Sequence, residues 1–227
     1  MNTVSLSLTS VRELNEQLRG APDDGSVPAW RVTDPKGAHA VAAGLTGPVQ
    51  VQIDGHVGYY CAGMNQHAAI TVDGHCGTGV AENMMSGIVR IRGNASQSAG
   101  ASGHGGMLVI EGNAGPRCGI SMKGIDIVVG GKTGHMSGFM AQSGNLVICG
   151  DAGNDLGDSI YEAVIYVGGS AASLGADCVE KEMTPKHRSR LQDLLSRAGM
   201  ERDLDRFRRF GSARRLYHFH VDHADSY

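Results

Sequence analysis

Several things are scarce in this chain of 227 residues. Aromatic side chains make up 5% of it, and there are six prolines. No apolar run approaches the roughly 20 residues a membrane-crossing helix needs, so no membrane partner is expected. The N-terminal "MNTVSLSLTSVREL" has no basic stretch followed by an apolar one, and no secretory signal is read there. Neither charge dominates: the formal net charge is −3 and the pI is near 6.3, which gives no reason to expect nucleic acid over the whole chain. The five cysteines, Cys61, Cys76, Cys118, Cys149 and Cys178, are odd in number and contain no C-x-x-C. That excludes a simple disulfide framework and predicts reduced, mostly buried thiols in a cytoplasmic protein.

Glycine is what the chain has in excess, with 34 residues, about twice the usual share. They do not fall at every third place, as a collagen helix would need, and the aliphatic content is too high for a disordered chain. The stretch "IDIVVGGKTGHMSG" resembles a phosphate-binding loop, with Lys132 and Thr133 after two glycines. That loop needs a further glycine where Asp126 stands, and a helix where more glycines follow. A different account of the glycines is required.

Gly55, Gly74, Gly93, Gly112, Gly131, Gly150 and Gly169 stand 19 residues apart, seven in succession. Two places before them are Ile53, Val72, Ile91, Ile110, Val129, Ile148 and Val167, and four places before are Val51, Ile70, Val89, Leu108, Ile127, Leu146 and Ile165. The place between varies: Gln52, Thr71, Arg90, Val109, Val128, Val147 and Tyr166. Buried, variable, buried is the period-2 signature of a strand with one face inward. The glycines mark bends at which a side chain would obstruct the chain. Small residues recur three and seven places after each glycine, as expected of corners where coils stack closely.

A repeat with one short strand buries nothing alone and must stack on its neighbours. The predicted fold is all-β, a right-handed parallel β-helix of about seven 19-residue coils. At the strand spacing of ~4.8 Å, six intervals make a rod roughly 29 Å long. On this reading "GGKTG" is the fifth corner. Residues 1–48 are expected to form an N-terminal strand/helix and loop cap, residues 49–183 the glycine-rich β-helix, and residues 184–227 a basic helical C-terminal extension and tail. In the first part, "VSLSL" reads as a strand. Ser10 with Glu13 forms a capping box ahead of Val11, Leu14 and Leu18, and "APDDGSVPAW" reads as a loop. In the last part, Thr184 and Pro185 open a helix whose apolar face is Leu191, Leu194, Leu195 and Ala198, and Gly199 ends it. A second short helix is expected to carry Leu204, Phe207 and Phe210. Both terminal pieces are expected to cover the open ends of the rod.

Chemistry is sparse in this pattern. Cys61 and Cys118 share a corner position three coils apart, and no four cysteines converge, so neither a structural zinc nor an iron–sulfur cluster is expected here. His56, His75, His104 and His135 lie at or near corners and read as surface or stacked polar residues. His218 and His220 share a face of the tail "YHFHVDHADSY", with Asp222 and His223 close behind, and read as a docking strand rather than a metal site. Between residues 185 and 215 ten Lys/Arg oppose four acids, whereas between residues 49 and 183 six oppose twelve. Arg208, Arg209, Arg214, Arg215, His218 and His220 are therefore the candidate subunit interface.

The words "GHVGYYCAGMNQHAAITVDGHCGTGVAENMMSG", "GPRCGISMKG", "GHMSGFMAQSG" and "DAGNDLGDSIYEAVIYVGG" resemble the C-terminal β-helix domain of the glutamate synthase large subunit. They are closer still to its stand-alone form, the β-helix subunits of N-methylglutamate synthases (methylamine–glutamate N-methyltransferases). "RRFGSARRLYHFHVD" extends the likeness to the C-terminal end. The resemblance implies a noncatalytic structural subunit of a complex that forms N-methylglutamate from methylamine and L-glutamate and releases ammonia. It implies a hetero-oligomer whose partners are a class II amidotransferase-like subunit and a glutamate-synthase-like subunit carrying FMN and an iron–sulfur cluster. Neither the N-terminal catalytic cysteine of the first nor the cysteine cluster of the second has a counterpart here, so no catalytic, cofactor or metal residue is assigned. Two alternatives stay open on the sequence: the glycine-rich coil subunit of a formylmethanofuran-type formyltransferase/hydrolase complex, and an autonomous β-helix acyltransferase. The latter should show an aliphatic residue every six places, which this chain does not.

Overall fold

The computed structural model describes residues 1–20 and 26–214. Every strand among the described residues belongs to one sheet. β1 (Asn2–Ser5), β2 (Ala29–Thr33), β3 (Gln50–Ile53), β4 (Ala69–Val72), β5 (Ile88–Ile91), β6 (Met107–Ile110), β7 (Lys123–Val129), β8 (Ser143–Ile148) and β9 (Val164–Val167) follow one another in parallel. β11 (Arg208–Ser212) then slots in antiparallel to both β9 and β10 (Cys178–Lys181). The register is that of a solenoid: Val51 pairs with Ile70, Ile70 with Val89, and so on at 19-residue steps to Ile165. A one-residue ladder runs up the next side, joining Val57, Cys76, Ala95, Ala114, Thr133, Ala152 and Ala171. The seven-coil β-solenoid read from the glycines is the fold of the protein.

The aliphatic pairs two and four places before each glycine stack into one buried column from Val51 to Val167. The corner glycines are needed for two different physical reasons. At Gly112 a Cβ would lie 2.8 Å from the carbonyl oxygen of Gly93, in the coil below. Gly55, above an irregular coil, instead has φ +123, where side chains are strained.

The irregular coil is one that the spacing conceals. Trp30 pairs with Val51, 21 residues on, and Val32 with Ile53, so β2 extends the sheet where the sequence reads as a loop. The N-terminal strand is Asn2–Ser5, two places earlier than "VSLSL" suggests. α1 (Val11–Leu18) closes this end as expected. Ser10 and Glu13 form the capping box, and Leu14 and Leu18 are buried. Asn15 donates to the carbonyl of Ala40 at 2.8 Å, and Arg19 to those of Ala43 and Gly44 at 3.0 Å. The helix thereby satisfies carbonyls that the first coil would otherwise leave open.

The C-terminal part departs from expectation. α2 (Pro185–Ala198) has the predicted cap at Thr184, the predicted stop at Gly199 and the predicted apolar face. It does not cover the end of the rod: it lies across the outside of the sheet. Leu191, Leu194, Leu195 and Ala198 pack there on Met107, Val109, Val128, Val147 and Tyr166, forming a second core. The expected second helix is a single 3-10 turn, Leu204–Arg206, followed by β11. Backbone pairing to two strands wins over the helical spacing of Leu204, Phe207 and Phe210. Phe207 joins the core under α2, and Phe210 joins the column inside the rod.

Candidate functional site

The middle residues of the strands point outward, and along the sheet they read Arg31, Gln52, Thr71, Arg90, Val109, Val128, Val147 and Tyr166. The last four are completely buried beneath α2. Arg31, Gln52 and Thr71 instead border an open depression of about 560 Å³, with Met1, Trp30 and Arg92. Charges there are held in pairs: Arg31 reaches Asp54 at 2.6 Å and Arg92 reaches Asp73 at 2.6 Å, while Gln52 also donates to Asp73. Arg90, half-buried, marks the boundary between the two halves. Its Nη1 donates to the carbonyl of Ala198 at 3.0 Å, at the last turn of α2, and pairs with Glu111 at 3.2 Å.

α2 is held by charge as well as by burial. Asp126, with 7% of its surface exposed, accepts from Arg190 Nη2 through both oxygens at 3.0 and 2.8 Å. Arg197 and Asn145 also donate to it, at 3.3 and 2.8 Å. Four donor contacts satisfy a carboxylate that burial would otherwise penalise. The Tyr166 hydroxyl, also under α2, has no partner, and burial pushes its pKa up to about 12.

On the corner that follows the sheet, the residue after each glycine forms a file: His56, His75, Asn94, Asn113, Lys132, Asp151 and Ser170. The backbone N–H of His75 donates to His56 Nδ1 at 2.9 Å, and that of Asn94 to His75 Nδ1 at 2.8 Å. The N–H of Asn113 donates to Asn94 Oδ1 at 2.8 Å, and that of Lys132 to Asn113 Oδ1 at 2.9 Å. Further on, the N–H of Ser170 donates to Asp151 Oδ1 at 2.8 Å. The rings of His56 and His75 stack, 4.7 Å apart and 11° from parallel. Lys132 thus sits on the fifth corner, with its N–H engaged by a side chain below, as the solenoid reading requires. His104 and His135 are exposed and lie outside this file.

The thiols are largely buried. Burial pushes Cys118 up to about 12 and Cys178 up to about 11. Cys76 is raised first by a hydrogen bond with the Cys61 thiol and then by burial. Cys149 is raised by burial against the opposing effect of Arg202. The contact of Cys61 with Cys76 joins two neighbouring coils and is invisible in the spacing, because the residues occupy different corner positions. Among the described residues no three His, Cys, Asp or Glu side chains converge as a metal site.

The predicted interface arginines within the described residues all touch this chain. Arg208 pairs with Glu180 at 3.3 Å and lies over the Phe210 ring at 5.5 Å. Arg209 donates to the carbonyl of Glu182 at 2.7 Å, and Arg214 pairs with Asp177. Arg215, His218 and His220 lie outside the described residues. Asp126 and the covered valines are not singled out by the sequence pattern. Their signal is the change from polar to apolar at the middle of the strand, which the 19-residue spacing alone reads as free variation. Among the described residues no helix is long and apolar enough to cross a membrane.

No family model matches the chain. It is 56% identical over 229 aligned residues to Protein GlxC of Rhizobium meliloti (strain 1021), an alignment that covers 100% of both chains. With that identity sustained from end to end, the chain belongs to the GlxC family.

Proposed function

We propose that this chain is the noncatalytic structural subunit of a glutamate-synthase-like complex that forms N-methylglutamate from methylamine and L-glutamate and releases ammonia. The observation that carries the reading is the solenoid itself. Its words "AENMMSG", "CGISMKG" and "GDSIYEA" resemble those of the stand-alone β-helix subunits, and they lie on coils closed around a packed aliphatic column. FMN and an iron–sulfur cluster belong, on this reading, to a partner chain. The residues here do not fit a cluster: of the five cysteines only Cys61 and Cys76 interact with each other, inside the rod. A class II amidotransferase-like chain is the other proposed partner, and the assembly is a cytoplasmic hetero-oligomer.

The test is reconstitution. The three chains are co-expressed with and without this one, and methylamine-dependent formation of N-methylglutamate is measured. The reading expects turnover only when all three are present and none from this chain alone. Full turnover without it would refute the structural role. The basic C-terminal end is part of the same proposal: charge reversal at Arg208, Arg209, Arg214 and Arg215 should lower the mass of the purified complex, and an unchanged mass would remove that end as a contact.

A further inference from the structure

The corner file has a chemical consequence on its solvent side. A neutral imidazole that accepts at Nδ1 carries its proton on Nε2, so His56 and His75 each present an N–H outward. An asparagine whose Oδ1 is taken presents its NH₂ group, as Asn94 and Asn113 do. Lys132 follows with an ammonium group. All five residues are exposed. Five successive coils therefore display donors with no acceptor between them, at the coil spacing of ~4.8 Å, over about 19 Å.

The fold alone does not ask for this. Holding the next coil's N–H needs only an acceptor, and Asp151 supplies one in the same file with a carboxylate oxygen. A carboxylate or a serine at the earlier positions would serve the backbone equally. The neighbouring acids do not neutralise the donors. Asp54, Asp73 and Glu111, each one place before a corner glycine, are drawn over the sheet face by Arg31, Arg92 and Arg90. Lys132 alone has an acid in the file near it: Asp151 accepts from Ser170 N–H and Oγ at Oδ1 and also attracts Lys132, so the other four donors are the uncompensated part of the strip.

We propose that the file from His56 to Lys132 is a docking strip for an acidic, extended segment of a partner protein, whose carboxylates accept from these donors. The strip is defined by its own geometry; only the assignment of the segment to a partner subunit rests on the scaffold reading. Charge-assisted bonds to carboxylates are stronger than neutral ones, so the strip favours glutamate- or aspartate-rich sequence over neutral sequence.

The test uses the full chain and a fluorescein-labelled oligoglutamate peptide, with an oligolysine peptide as control, followed by fluorescence anisotropy. The decisive variant is Asn94→Asp with Asn113→Asp. It keeps both Oδ1 acceptors of the ladder and turns two outward donors into anionic oxygens, a residue type the file already accommodates at Asp151. Gln142→Glu with Gln192→Glu, at exposed sites outside the file, adds the same charge elsewhere. Wild type and the charge-matched control should bind oligoglutamate, and the Asn→Asp pair should bind roughly tenfold or more weakly, with unchanged circular dichroism and Tm. Absent binding by wild type, or equal weakening in both double variants, would overturn the strip. Recovery of partner chains on purification would be untouched by that failure, which separates this inference from the scaffold reading.

Discussion

Strands β2 to β5 and strands β6 to β9 share their parallel pairing and an apolar inner face, yet their outer faces meet opposite surroundings. In the first group the middle residue is Arg31, Gln52 or Thr71 beside an open depression, or Arg90 at the edge of α2. In the second it is Val109, Val128, Val147 or Tyr166, fully buried beneath α2. One residue per strand therefore decides where the chain covers its own sheet. The solenoid can be built either way, because the inner column alone supplies the stacking. The outer face is free to be read separately, so a repeat's variable position carries information that its constant positions cannot.

This contrast is tested most severely under the middle of α2. Val128→Lys places a charge there and should cost on the order of 4 kcal/mol. Thr71→Lys, at the matching place on the open half, should stay within ~0.5 kcal/mol. Urea unfolding of both variants checks this; equal costs would mean that α2 does not seat on the sheet. The next largest effect is expected at the acids. Asp126→Ala leaves Arg190 and Arg197, both partly exposed, with only Asp193 to share, leaves Asn145 without its acceptor, and should destabilise by about 2 kcal/mol. Asp73→Ala removes only exposed pairs, worth about 1 kcal/mol or less. A smaller contrast lies at the boundary: Arg90→Ala should cost about 1 kcal/mol and speed amide exchange in the last turn of α2, whereas Arg92→Ala should do neither.

The smallest expected effect is one of pH. His187, in the first turn of α2, is held below the ordinary histidine value by burial, then by Arg209 and Lys186. A depressed histidine contributes stability that is present above its unfolded pKa and lost as pH falls through the lower folded value. Glu13, in α1, is also lowered, by its hydrogen bonds with Ser10. Its contribution is lost only below about pH 4.3, the ordinary glutamate value. On acidification α2 should therefore loosen before α1, as read by exchange of their amides, and His187→Gln should abolish the earlier step. Simultaneous loosening in the wild-type protein would contradict that order.

Much of the fold is legible in the sequence because the solenoid repeats one physical requirement seven times. A glycine at every corner and two inward aliphatics before it are forced by the coil beneath, so the pattern is redundant. Both helix caps are legible for the same local reason: Ser10 with Glu13, and Thr184, Pro185 and Gly199, satisfy backbone groups within a few residues of themselves. What is illegible is nonlocal. The destination of α2 depends on valines 19 residues apart, and on Asp126 meeting Arg190, which is 64 positions later. Phe210 has helical spacing from Leu204 and Phe207 but lies in a strand, because β9 and β10 offer it partners on both sides. The corner file is visible in the sequence as residues but not as bonds, since only coil stacking tells which atom of His56 or Asn94 is used.

The most direct measurement is affinity purification of the tagged full chain from its native host, with identification of what accompanies it and a visible spectrum of the product. The predicted result is a coloured complex containing an amidotransferase-like chain and a flavin and iron–sulfur chain, active with methylamine and L-glutamate. A colourless, solitary protein with an activity of its own would contradict the scaffold role.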